Sequence, residues 1–287
     1  MEKELFINKL KADSNKLNID LTDMQAEKFY TYMELLLEWN EKINLTAITE
    51  PEEIIKKHFI DSLTIKKYIN DNSYVIDVGT GAGFPGIPLN IVSSTNKIVL
   101  LDALNKRLNF LNEVIKQANL ENIKTIHFRA EEAGKNKEYR EKFDIATSRA
   151  VAPLNILVEY LLPFVKIGGK CICMKGSNIG EELENSKNAI NILGGRIENI
   201  ESFTLPESDI ARNIIVISKV NKTLEKYPRK AGTPSKEPIV WQQLPDNNIF
   251  NFLYVTTLGH MSVFFSNLQI IEVCTTKMKY ITIFELI

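Results

Sequence analysis

Over residues 1–70 the apolar positions recur every three or four residues, the period of an amphipathic helix. In TDMQAEKFYTYMELLLEWNEKI, Phe29, Met33, Leu36 and Leu37 share one face and read as a core stripe. Thr22 opens this stretch with Gln25 three residues on, a spacing that lets each side chain bond the other residue's backbone N–H. Pro51-Glu52-Glu53 starts a further helix, since Pro presets an early helical φ and acids suit the positive end of the helix dipole. Residues 1–70 are therefore expected to form a helical cap. From residue 74 the period changes. β-rich runs at 74–78, 98–102, 124–128, 143–147 and 170–174 alternate with helical stretches, which predicts a parallel sheet covered by helices on both faces. After Gly180 one more helix precedes runs at 197–203 and 213–220 with no helix between them, so an antiparallel hairpin should close the sheet. The expected fold is α/β and Rossmann-like over residues 71–239, with seven mostly parallel strands. Residues 225–238, rich in Pro, Gly and Lys, read as an extended, solvated loop. Residues 240–287 are crowded with apolar side chains but show no clear period or cap.

Composition narrows the function classes. The 287 residues, 44% of them apolar, are ample for a buried core. With 35 basic against 36 acidic residues the net charge is −1, so no overall field drives the chain onto a polyanion and any such contact must come from a local patch. Cys171, Cys173 and Cys274 are too few and too badly spaced for a disulfide framework or a four-ligand zinc site. The first two sit two apart in GKCICMKG, on one face of a strand. The amino terminus carries charges throughout, and no long uncharged apolar run occurs before residue 240. These features predict a cytoplasmic chain with no membrane partner.

The run ending at Val78 leads into DVGTGAGFPG (77–86). A glycine turn followed by a helix start offers unpaired N–H groups at the carboxyl end of a strand, where open α/β sheets bind their ligands. Gly81, Gly83 and Gly86 match the dinucleotide spacing G-x-G-x-x-G. Charge sign shifts the weight: Asp77, at the mouth of the loop, would repel a pyrophosphate and attract the ammonium and sulfonium groups of S-adenosylmethionine. Asp102 closes the next strand, where a carboxylate accepts from both ribose hydroxyls, with NAD as well as with the methyl donor. RAEE (129–132) follows the third strand and suits either an adenine edge or a solvated turn. Arg149 follows the fourth and joins the same crevice.

Taken with WNEKINLTAIT (39–49), HFIDSL (58–63), DVGTGAGFPGIPL (77–89), SRAVA (148–152) and YPRKAGTPSKEP (227–238), these residues resemble the RsmG (GidB) family of 16S ribosomal RNA guanine-N7 methyltransferases. The resemblance covers about residues 1–239 and rests on strings far more specific than a glycine pattern. It implies a class I methyltransferase fold, S-adenosylmethionine as cofactor, and one guanine in the decoding-region loop of small-subunit rRNA as target. On it the cofactor contacts fall on Gly79, Phe84, Ala130, Glu131 and Arg149, with Asp77, Gly81 and Asp102 in support. Residues 240–287 lie beyond the length at which similar proteins stop.

Guanine N7 has a free lone pair and no proton to lose, so its methylation needs approach and dryness rather than a base. No catalytic acid, base or metal-ligand set is expected. Of the three histidines, His58 reads as packed within the cap, His127 alternates along a strand and His260 lies in the extension. Phosphates of 16S rRNA or the small subunit are expected to meet Lys106, Arg107, Arg149, Lys175, Arg212, Arg229 and Lys230. Tyr227 is a candidate for stacking on a base, as is Phe84, for which packing against the loop is the preferred reading. The chain is expected to act as a monomer. An NAD-linked oxidoreductase and a noncatalytic ribosome-assembly factor on the same fold are the alternatives.

Overall fold

The structure, a computed structural model, describes residues 1–149 and 151–240, and the backbone of strands at Leu253–Thr257, His260–Phe265 and Gln269–Val273. The chain divides into two compact units, Met1–Val240 and Trp241–Ile287.

In the first unit, helices Lys3–Asn15 and Asp23–Ile43 form the expected cap. The second opens on the capping box: Gln25 N donates to Thr22 Oγ1 at 3.2 Å and Thr22 N donates to Gln25 Oε1 at 3.0 Å. Phe29, Met33 and Leu36 are buried and Leu37 packs at the rim. The helix that begins at Pro51 widens into a π-helix over Ile55–Ile60 and closes at Asp61–Leu63. Phe6, Phe29, Tyr32 and Phe59 meet between these helices in a cluster of tilted and edge-on rings, geometries that aromatic quadrupoles favour.

Strands β1 (Tyr74–Val78), β2 (Lys97–Asp102), β3 (Ile123–His127), β4 (Phe143–Arg149), β5 (Val165–Lys175), β6 (Gly195–Thr204) and β7 (Ala211–Lys219) form one sheet in the order β3-β2-β1-β4-β5-β7-β6. The first five are parallel. β7 runs antiparallel to both β5 and β6, which is the closing hairpin. Side chains alternate across the sheet: Val75 enters the layer shared with the cap, while Ile76 and Val78 enter the layer under helices Leu154–Leu161 and Gly180–Ile192. Cys171 and Cys173 share that second layer, fully buried. Strand order reverses between β1 and β4, and the crevice opens there.

One expectation is corrected. Residues 225–238 are not an extended, solvated loop but fold back on the sheet. Tyr227 is buried in the second layer, and Arg140 donates to the carbonyls of Tyr227 and Thr223 at 2.8 and 2.6 Å. A short helix, Thr233–Lys236, follows Gly232. In the second unit, where the sequence shows no clear period, β8 (Leu253–Thr257), β9 (His260–Phe265) and β10 (Gln269–Val273) pair antiparallel in the order β10-β9-β8. Among the described residues no helix is long and apolar enough to cross a membrane.

Candidate cofactor site

The crevice holds a cavity of about 540 Å³ at the carboxyl ends of β1, β2, β3 and β4. Its floor is the turn after β1. Gly79 sits at φ +68°, and a Cβ there would lie 2.8 Å from Val151 Cγ2. Only glycine takes this conformation freely and leaves the backbone open to a ligand. Gly86 serves packing instead, since its Cβ would come within 2.3 Å of Leu100 Cδ2.

Asp77 does not stand at the mouth of the turn, and the expected ammonium contact is corrected accordingly. Its carboxylate is fully buried behind the turn, where Oδ2 accepts from Thr80 Oγ1 at 2.7 Å and from Gly86 N at 2.9 Å. It ties the start of the turn to its end. The other oxygen has no protein partner among the described residues, and burial pushes the carboxyl pKa up to about 6. The Tyr32 hydroxyl donates to the Ala82 carbonyl and so fixes the turn from the cap side.

Asp102 reaches the cavity. Its Oδ1 accepts from Leu104 N at 2.9 Å and its Oδ2 from Gly81 N at 3.0 Å, so one carboxylate links β2 to the glycine turn. That anchored acceptor suits a ribose diol. Arg107, expected among the RNA contacts, lies 3.3 Å from Asp102 Oδ2 and lines the same cavity. On the third strand's side, Ala130 and Glu131 line the wall with Phe128 and Tyr160. Glu131 Oε1 accepts from Gly232 N at 2.9 Å, which brings the folded-back segment to the cavity's rim.

Arg149, the last residue of β4, is gripped by the π-helix and by Asp61 just beyond it. It donates to Lys57 O at 3.0 Å, Asp61 Oδ2 at 3.1 Å and His58 Nδ1 at 3.1 Å. Its guanidinium lies 4.8 Å from the centre of the Phe84 ring, and Phe84 stacks on His58 at 4.5 Å and 18°. Phe84 is thus packed within the wall rather than free to stack on a base. A guanidinium only donates, so His58 Nδ1 accepts and Nε2–H faces Thr46 Oγ1, 2.8 Å away. Burial, and then the adjacent Arg149 charge, push the His58 pKa down to about 4. The ring is neutral through the physiological range. Its NMR signals should therefore not titrate between about pH 5.5 and 8.5; an inflection near the reference value of about 6.5 would overturn this wall geometry.

The family described as GidB, rRNA small subunit methyltransferase G, matches residues 25–214. The chain belongs to this family. Three relatives carry the name ribosomal RNA small subunit methyltransferase G. That of Acetivibrio thermocellus is 57% identical over 240 residues, covering 83% of this chain and 99% of the relative. Those of Alkaliphilus metalliredigens and Clostridium perfringens are 52% and 48% identical, covering 80% and 82% of this chain and 97% and 99% of their own lengths. As a GidB-family methyltransferase the chain uses S-adenosylmethionine, and the NAD-linked alternative falls away. The cavity fits that cofactor by its anchored Asp102 acceptor and its side-chain-free glycine turn. Gly79, Gly81, Phe84, Asp102, Ala130, Glu131 and Arg149 all line it, and Asp77 supports it from behind.

The basic residues of this GidB-family chain divide differently than expected. Lys175 pairs with Glu182 and donates to Ala152 O at 2.6 Å, its side chain only 9% exposed. Arg229 forks onto Glu159, which is fully buried, with Nε–Oε1 and NH2–Oε2 at 3.0 and 2.7 Å. Both are held by carboxylates, Lys175 nearly buried and Arg229 with 24% of its side chain exposed. Arg212 donates through Nε to Asp61 Oδ1 at 2.9 Å but stays partly exposed. Lys106 and Lys230 are exposed. Sequence reasoning missed Asp61, which joins Arg149 to Arg212, although it stands inside HFIDSL; Glu159, within an apolar helix, carries no signal of its partner. Among the described residues no cluster of three His, Cys, Asp or Glu is arranged to hold a metal.

Proposed function

We propose that this chain transfers the methyl group of S-adenosylmethionine to N7 of one guanine in the decoding-region loop of 16S ribosomal RNA. The observation that carries the reading is the family match over residues 25–214, which spans the cavity-forming strands from β1 to β4. The chemistry of the wall agrees with it. The N7 lone pair forms the new N–C bond while the electrons of the S–C bond stay with sulfur, so no proton leaves. His58 is neutral and hydrogen-bonded on both nitrogens, and Arg149 can only donate. Neither is placed as a base. Lys106 and Lys230 are the exposed cations we assign to rRNA phosphates, with Arg107 at the cavity edge.

The test is transfer of a labelled methyl group to 16S rRNA and to small subunits from cells lacking this gene, followed by mapping of 7-methylguanosine. RNA binding without transfer would favour the noncatalytic assembly factor. We further propose that residues 71–239 with the helical cap suffice, because 232–240 residues of this chain already match 97–99% of the relatives' lengths. Truncation after Ile239 should keep kcat/KM within about twofold; loss of transfer in a folded, cofactor-binding truncation would show that the extension contributes to the site.

A further inference from the structure

A second cavity, of about 410 Å³, adjoins the first at Arg149 and His58, and Ile48, Asp61, Met174, Lys175, Gly176 and Arg212 are among its other lining residues. Arg149 and His58 line both cavities, so the two meet at these side chains. The size falls within the range of roughly 300–1,000 Å³ typical of small-ligand pockets. Two of its polar groups act as a pair. Arg212 spends Nε on Asp61 and one terminal nitrogen on Ala211 O at 3.1 Å, and among the described residues its other terminal nitrogen has no protein partner. Asp61 receives one guanidinium on each oxygen and keeps further lone pairs.

We infer that this second cavity receives the accepting base, an unstacked guanine, with Arg212 and Asp61 as the residues that tell it from adenine. The inference rests on the methyl-transfer reading above and goes beyond it by assigning the subsite and the readout. A base inside a folded RNA must leave its stack to meet a cofactor at the carboxyl ends of strands, and enzymes acting on bases hold the extruded ring in a separate pocket. The edge of guanine offers O6 as acceptor beside N1–H as donor; adenine presents the reverse pattern there. A guanidinium donor adjacent to a carboxylate acceptor matches the first and opposes the second. Apolar contacts come from Ile48 and Met174, which give the flat ring a dry surface.

Gly176 supplies a direct test, because a Cβ built there meets nothing within 4 Å and its φ is not in the left-handed region. Gly176→Leu should fill the cavity without disturbing the fold. We expect S-adenosylmethionine affinity by calorimetry within about twofold of wild type, an unchanged melting temperature, and at least a tenfold lower kcat/KM for methyl transfer to small subunits. Arg212→Met, which keeps the stem and removes the guanidinium, should lower transfer similarly and leave cofactor affinity intact, with partial recovery in Arg212→Lys. Wild-type protein that transfers nothing to small subunits would sink the underlying reading. An active wild type alongside a fully active Gly176→Leu would overturn the subsite alone, as would an equal loss of cofactor affinity. If Gly176→Leu does not fold, wild-type kcat/KM in Arg212→Met overturns it.

Discussion

Gly79→Val is expected to lower S-adenosylmethionine affinity by at least about a hundredfold, close to 2.7 kcal/mol, while the protein stays folded. Two effects act together. A β-branched side chain at φ +68° is strained by on the order of 1–3 kcal/mol, and its methyl groups would occupy the floor of the cavity where the cofactor must approach backbone. The clash with Val151, at 2.8 Å from the new Cβ, is relievable because Val151 is 40% exposed and can turn away. The substitution therefore strikes the ligand harder than the fold. Calorimetry on the folded variant decides it, and unchanged affinity would remove Gly79 from the site.

Arg229→Ala should act on stability instead. Glu159 is fully buried and takes the Arg229 backbone N–H at 2.8 Å as well as the guanidinium fork. Removing the guanidinium leaves a buried carboxylate with one remaining donor, a loss of about 3–5 kcal/mol. For a chain of this size that lowers Tm by on the order of 10 °C. The slope of RNA affinity against salt should stay as in wild type, whereas Lys230→Ala should reduce it by about one unit. Joint replacement of Glu159 and Arg229 by Leu should recover most of the lost stability, because no charge is then stranded. An Arg229→Ala protein with wild-type Tm and a flattened salt slope would return this residue to the RNA surface.

Periodicity made the alternating sheet and the cap legible, because a helix stripe such as Phe29, Met33 and Leu36 and the strand runs are local patterns. The glycine turn and Asp102 were legible for a similar reason: position at a strand end fixes what they can reach. The failures have different causes. Whether Lys175 or Arg229 meets a phosphate or a carboxylate depends on Glu182 and Glu159, and the latter stands 70 positions away in sequence. In sequence a cation looks the same in either case. Asp77 misled by sign alone: its charge suggested a ligand, while the hydrogen bonds from Thr80 and Gly86 show it bracing the turn from behind. The short strands β8, β9 and β10 pair across a segment without strict alternation, so no local pattern announced them.

The grip of the π-helix on Arg149 makes the amino-terminal helices inseparable from the domain they cover. Three acceptors contributed by Lys57, His58 and Asp61 hold a side chain that begins on β4 and borders the cofactor cavity. Cutting the chain near residue 70 to obtain a minimal methyl-transfer domain would strip the wall from the cavity. An exchange of the first 70 residues between relatives would likewise succeed only where donor and recipient agree on both halves of this clasp. The unit on which selection and engineering act at this site is the pair, cap and strand together, rather than either sequence segment alone.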